Sequence, residues 1–130
     1  MTETMTIPTW TISDLSKEFD ITPRTIRFYE DHGILNPARE GSKRVYVARD
    51  RTRLKLALRG KRLGFTLSAI RELVDMYEGP RDTRPQLKHY LSVLESQRAS
   101  LEQQRIDLEE TLAEIVQQQK QCEALLKVKK

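Results

Sequence analysis

The chain has one cysteine, Cys122, in 130 residues, which excludes an intrachain disulfide and a multi-cysteine zinc site. Its two histidines, His32 and His89, are far apart and lack acids at ligand spacing, so no metal site is expected. No apolar run approaches the ~20 residues needed to cross a bilayer, and no membrane role is expected. The N-terminus lacks the basic start and apolar core of a signal peptide, so a cytoplasmic, reducing location is the expectation. Ser-His-Asp, Cys-His and paired-carboxylate arrangements are missing, as is any glycine-rich phosphate loop. An enzyme is therefore not expected, and neither is a cofactor. Hydrophobic residues make up 38% and charged residues 32%, with a mean hydropathy of -0.62, so much of the chain must face solvent. The length allows one domain, or one small domain with an extension.

Charge is unevenly placed. Residues 24–62 hold twelve Lys or Arg against four acids, a local balance of +8 within a net charge of +4, so the rest sums to −4. A basic stretch of this kind is the electrostatic footprint of a phosphate-binding surface. Alone it reads equally well as the solvated face of a basic helix. Its neighbours tip the balance toward nucleic acid.

The most informative neighbour is a short helix from residue 23. Thr22 is a favourable N-cap, and Pro23 sits where its missing N–H costs nothing. Ile21 and Ile26 have the spacing of a hydrophobic staple. At 100° per residue, Arg24, Arg27, Phe28 and Asp31 share a face, while Ile26 and Glu30 lie opposite. Gly33 stands where a left-handed cap would end the helix. A preceding helix is predicted from Thr11 to about Phe19, with Ile12, Leu15 and Phe19 on one side. Residues 35–47, with Pro37, Gly41 and Ser42, read as a β-hairpin ending in Val45-Tyr46-Val47. A third helix is predicted over about 49–63 on Leu54, Leu56, Leu58 and Leu63, stopped by Gly64. A fourth begins at Thr66, with Phe65 and Ile70 as a second staple, and its apolar positions run to Tyr77. Gly79-Pro80 breaks the chain again. A helix in the major groove with a wing beside it suits this pattern.

The last third differs. Thr83-Arg84-Pro85-Gln86 has the form of a capping box, and no Gly or Pro follows Pro85. A 4-3 alternation then selects Leu87, Leu91, Leu94, Arg98, Leu101, Arg105, Leu108, Leu112, Ile115, Gln119, Cys122 and Leu126. With Leu87 as a d position every d is apolar, whereas Arg98, Arg105 and Gln119 fall at a. A helix of ~40 residues alone in water would leave this seam exposed, so a partner is required. A two-stranded coiled coil with a second copy is the simplest; folding back on a small domain would leave most of the length overhanging. Leu87, Leu91, Leu94, Leu101, Leu108, Leu112, Ile115 and Leu126 are the expected dimerisation residues. Strand direction is not readable from this pattern. Cys122 at a d position reads as a small packing residue before a redox sensor.

These residues resemble the MerR-type winged-helix transcription regulators, closely over about 10–78. The pattern Thr-Ile-Arg-Phe-Tyr-Glu stands at Thr25 to Glu30, followed by Gly33-Ile34-Leu35 and Pro37. The wing signature is Arg44-Val45-Tyr46, with Asp50 four residues later, and Leu-Gly-Phe-Thr-Leu runs from Leu63 to Leu67. Five motifs in order at family spacing make the likeness specific. It implies a mainly α fold: a winged helix-turn-helix domain with a small β-hairpin wing, then a long dimerisation coiled-coil helix. The corresponding division is a leader at 1–9, a DNA-binding domain at 10–80 and a dimerisation helix at 81–130. The resemblance implies an antiparallel homodimer that binds and deforms pseudo-palindromic double-stranded promoter DNA, as activator with RNA polymerase or as repressor. The DNA contacts it suggests are Arg24, Thr25, Arg27, Phe28 and Tyr29 from the second helix. From the hairpin come Arg39, Lys43, Arg44 and Tyr46, and from the second wing Arg59, Lys61 and Arg62. By geometry alone Tyr29, off the Arg24 face, could be core, and the resemblance makes a DNA contact about as well supported.

Phe28 stands where Tyr is frequent, Lys43 where a wing Tyr is frequent, and Ala48 where a capping Ser is frequent. Asp50 would then compensate the third helix dipole. Residues 49–62 resemble a subgroup linked to leucine and acyl-CoA breakdown operons. Nothing after the coiled coil resembles an effector domain, and the multi-thiolate set of metal-sensing members is missing. The rival readings are a coiled-coil interaction scaffold and a single-cysteine redox-responsive regulator.

Overall fold

The computed structural model describes residues 7–76 and 84–129 and divides into two units, Met1–Lys88 and His89–Lys130. In chain order the elements are α1 (Ile12–Phe19), α2 (Pro23–Asp31), β1 (Ala38–Glu40), β2 (Lys43–Val45), α3 (Ala48–Arg62), α4 (Leu67–Asp75) and α5 (Arg84–Val128).

The short helices begin where nearby side chains satisfy otherwise unpaired backbone groups, and end where backbone N–H groups do so. Thr11 caps α1 in a reciprocal box with Asp14, at 3.0 Å and 2.9 Å. Thr22 Oγ1 accepts from the Thr25 N–H at 3.2 Å, and Thr66 Oγ1 from the Ala69 N–H at 3.1 Å. Val47, before α3, has no capping side chain. Asp50 reaches back instead, accepting from Val47 N–H at 3.0 Å and Asn36 N–H at 3.3 Å. That carboxylate therefore ties down the loop after α2 as well as compensating a dipole.

α2 and α3 end in Schellman turns. The N–H groups of Gly33 and Ile34 donate to Glu30 and Tyr29, while those of Gly64 and Phe65 donate to Lys61 and Gly60. The φ angles of +75° at Gly33 and +82° at Gly64 favour a residue without Cβ. The hairpin pairs Ala38 with Val45, Arg39 with Arg44 and Glu40 with Lys43 around a two-residue Gly41-Ser42 turn. Tyr46 lies beyond β2; it exchanges two backbone hydrogen bonds with Trp10 at 2.8 and 2.9 Å, tying the segment before α1 to the wing.

The first unit closes over Leu15, Ile26, Tyr29, Ile34, Leu35, Tyr46, Leu54, Ala57, Leu58, Ile70 and Val74. The buried α3 stripe is Leu54, Ala57 and Leu58, with the predicted Leu56 half-buried against the edge of the core and the predicted Leu63 outside it. Leu63 is 39% exposed, because it follows the last helical residue and no longer shares the buried face. The alternating leucines at 54, 56 and 58 had a period of two, which a helix cannot keep on one side.

In the second unit, and throughout α5, no described residue is buried. α5 is 45 residues long, or ~68 Å at 1.5 Å per residue. Leu87, Leu91, Leu101, Leu108, Leu112, Ile115 and Leu126 are exposed and Leu94 is half-buried. Thr83, Tyr77 and Gly79-Pro80, named in the sequence reading, lie outside the described residues.

Gly60 lets α3 and α4 approach closely: a Cβ there would lie 2.9 Å from Ile70 Cγ1 of α4 and 3.4 Å from Phe65 Cδ2. Gly60→Ala gains up to ~1 kcal/mol of helix propensity and costs about 1–3 kcal/mol of overpacking. A net loss of roughly 1 kcal/mol is expected in urea unfolding followed by circular dichroism, with the transition slope unchanged.

Candidate nucleic-acid interface

The exposed face of α2 carries Arg24, Arg27 and Phe28, all in solvent, with Phe28 46% exposed. Thr25 is half-buried, its hydroxyl 3.1 Å from that of Thr22. The Phe28 ring packs edge-on to Tyr29 at 5.5 Å between centroids and against His32 at 4.4 Å. An aromatic surface is thus held next to Arg27 and one turn from Arg24. Cations and flat apolar groups on one helical face suit phosphate contact and base-edge contact together.

The opposite side of α2 anchors it. Glu30, with a side chain 11% exposed, accepts a hydrogen bond from Arg44 Nε at 2.9 Å and another from the Tyr46 hydroxyl. A nearly buried carboxylate is costly unless paired and hydrogen-bonded, and both conditions are met by the hairpin and the residue just past it. The wing is thereby attached to the back of the helix it flanks. Sequence reasoning placed Glu30 opposite the arginine face but gave it no role; its position beside Ile26 was the available signal.

Two expected contact residues are core residues here. Tyr29 is 2% exposed and Tyr46 fully buried, so neither offers a face to a ligand. Burial pushes the phenol of each above its ordinary value, reinforced at Tyr46 by its hydrogen bond to Glu30. Arg44 is half-buried, with Nε held by Glu30. The hairpin's exposed cations are Arg39 and Lys43.

Two further members of the basic stretch are engaged by acids of the domain, Arg51 at the surface and Arg53 in the interior. Arg51 forms a two-pronged pair with Glu18, Nε to Oε1 at 2.9 Å, and its guanidinium lies 5.7 Å from the Trp10 ring centroid. The pair holds the Glu18 carboxyl below its usual range and Arg51 above its own. Arg53 is 3% exposed and bonded to Asp75. Arg59, Lys61 and Arg62 remain exposed on the last turn of α3, where cations also complement the helix dipole. Among the described residues no group of His, Cys, Asp and Glu could hold a metal ion, and no helix is long and apolar enough to cross a membrane.

Residues 10–77 match the family described as MerR HTH family regulatory protein, and residues 51–118 match MerR, DNA binding. The chain belongs to the MerR family. It is 35% identical over 72 residues to the HTH-type transcriptional regulator CueR of Salmonella typhi, covering 54% of this chain and 52% of that protein. To the regulator ZntR of Escherichia coli (strain K12) it is 38% identical over 71 residues, 53% of this chain and 50% of that one. The chain thus spans about half the length of the curated relatives it matches. A MerR family transcriptional regulator from Bacillus cereus superposes with a TM-score of 0.66 at 25% identity, over 82% of this chain and 76% of that one. HiNmlR, a MerR family regulator lacking the sensor domain and bound to promoter DNA, gives 0.57 at 26% identity, over 81% and 79%. The winged helix-turn-helix of the MerR family is thus the fold of the first unit, followed by a long helix.

Raised phenols carry a sign. The unfolded chain releases tyrosine protons near pH 10, which the native state holds, so stability is full below that pH and falls above it. Two such groups give a decline of up to ~2.7 kcal/mol per pH unit. Urea midpoints between pH 9 and 11 should fall accordingly, and less steeply in Tyr46→Phe.

Proposed function

We propose that this MerR family member is a sequence-specific transcription regulator that binds pseudo-palindromic promoter DNA as a homodimer. On this reading residues 10–80 recognise DNA and residues 81–130 pair the chains, in the cytoplasm and with RNA polymerase as the further partner at the promoter. The observation that carries it is the exposed Arg24, Arg27 and Phe28 face of α2, backed by Glu30 and its two bonds to the wing region. Arg39 and Lys43 on the hairpin and Arg59, Lys61 and Arg62 after it supply phosphate contacts on either side.

Dimerisation is supported by α5, whose seam leucines are exposed apart from the half-buried Leu94. The two arginines at a positions are turned aside by residues four further on: Arg98 Nε lies 3.1 Å from Glu102 and Arg105 Nε 3.8 Å from Glu109. Their charged heads thus lie toward the edge of the seam while their stems cover it. An antiparallel arrangement also avoids setting the acidic run Asp107, Glu109, Glu110, Glu114 beside its own copy, as an in-register parallel pair would. Control of leucine and acyl-CoA breakdown genes is the narrower reading, and it rests on the likeness of residues 49–62. DNA fragments selected from the source genome by binding, then footprinted, identify the targets directly.

Arg27→Ala should weaken binding to all sequences alike and lower the salt slope of log affinity by about 1. An unchanged slope would remove Arg27 from the contact set. Sedimentation equilibrium should give a dimer for the full chain and a monomer for Leu108→Glu. A wild-type chain that stays single and associates only with a foreign helix would establish the scaffold reading instead.

A further inference from the structure

Arg53 is the most deeply buried cation described, and the DNA-binding surface does not use it. Its guanidinium joins two elements that α3 itself does not contain. Nε donates to the Ile34 carbonyl at 2.6 Å, just past the end of α2. Nη1 donates to the Val74 carbonyl at 3.0 Å and Nη2 to Asp75 Oδ1 at 2.9 Å, both in the last turn of α4. Helix-terminal carbonyls carry the negative end of the dipole, and a planar five-donor fork can serve several of them at once. A second contact runs the same way: a Cβ built on Gly33 would lie 3.3 Å from the guanidinium of Arg71, which belongs to α4. The exit of α2 is therefore held by Arg53 of α3 and lies beside Arg71 of α4.

We propose that Arg53 is a positioning residue for DNA recognition, setting α2 and α4 at the relation in which the α2 face and the cations at the α3–α4 turn grip one duplex together. The inference rests on the DNA-binding reading above. Because Arg53 is 3% exposed, it makes no phosphate contact of its own. Any change in salt dependence on replacing it must come from contacts that other residues lose.

The test uses the full chain and a DNA fragment recovered from the source genome by binding selection. Affinity is measured against salt at 10 °C for wild type, Arg53→Lys, Arg53→Met and Asp75→Asn, each checked for native circular dichroism at that temperature. Arg53→Met should bind roughly tenfold weaker or worse with a salt slope lower by about 2, the loss of two or more phosphate contacts. Arg53→Lys keeps one charged donor and should fall between it and wild type. A residue that only added stability would lower the melting temperature and leave the slope of the folded protein unchanged. A folded Arg53→Met with wild-type affinity and slope overturns the proposal. If Arg53→Met does not fold, Asp75→Asn decides, since Asp75 has a side chain 55% exposed and its loss spares the core. A weaker, less salt-dependent complex there supports the proposal, and wild-type behaviour overturns it. A wild-type chain that selects no DNA removes the DNA-binding reading and this inference with it, a result distinct from either variant outcome.

Discussion

The Glu30 carboxylate, taken almost entirely out of water on the back of α2, is the constraint on which the interface depends. An ionised carboxylate so placed needs a cation and a donor, and here both come from the hairpin and the residue just past it, as Arg44 and Tyr46. Their own positions follow. Arg44 is drawn inward, Tyr46 fills the core, and the backbone of Tyr46 pairs with Trp10 ahead of α1. A single acidic group thus joins the helix that faces outward to the wing and, through Tyr46, to the start of the domain. Preorganisation of this kind lowers the ordering cost that binding would otherwise incur.

The same logic recasts the charge of the chain. The basic stretch was read as one surface, yet Arg44, Arg51 and Arg53 each pair with an acid: Glu30, Glu18 and Asp75. Two of those acids lie outside residues 24–62, so counting charge inside the stretch could not detect the pairing. Most of the remaining cations fall on α2, on the hairpin and at the end of α3, with Arg49 and Lys55 elsewhere on α3. The consequence is a patterned surface rather than a uniform field. Exposed arginines and lysines at three places around a rigid core suit a ligand with regularly spaced negative charges.

Local signals were legible and distant ones were not. Thr11, Thr22 and Thr66 as caps, Pro23 at the first helical position, and Gly33 and Gly64 at the ends all act within four residues, and each stands where composition and spacing put it. The hairpin turn was equally local. The partners of Glu30, Arg51 and Arg53 lie 14 to 33 residues away and depend on how α3 packs, which no spacing rule encodes. Tyr29 was open between core and surface on the helical wheel, and packing decided it. Tyr46 was misjudged because a strand-end aromatic reads as a surface residue until Trp10 supplies a backbone partner. Leu63 misled through residue type and Leu56 packs only at the edge of the core, whereas Ala57 is fully buried and Gly60, small and easily overlooked, lets α3 approach Ile70 of α4.

For α5 the argument runs from what the helix leaves undone. A helix whose described residues are nowhere fully buried gains little from tertiary packing, and i,i+4 pairs such as Arg98 with Glu102 contribute only a few tenths of a kcal/mol each. A 45-residue helix with leucines half exposed along one side is therefore a surface prepared for another helix. The a-position arginines make that surface selective. A partner that buried Arg98 or Arg105 fully would leave a charge without water, whereas a second copy offers apolar d residues and leaves the arginine heads to their own glutamates. Gln119 and Cys122, a polar and a small residue on adjacent seam positions, thin the packing near the far end, where Cys122 is exposed. Strength of pairing then concentrates in the leucine-rich layers on either side of the arginines. On the proposed dimeric reading, a seam of that composition trades some stability for register, the property that two DNA half-sites would require of the element joining their readers.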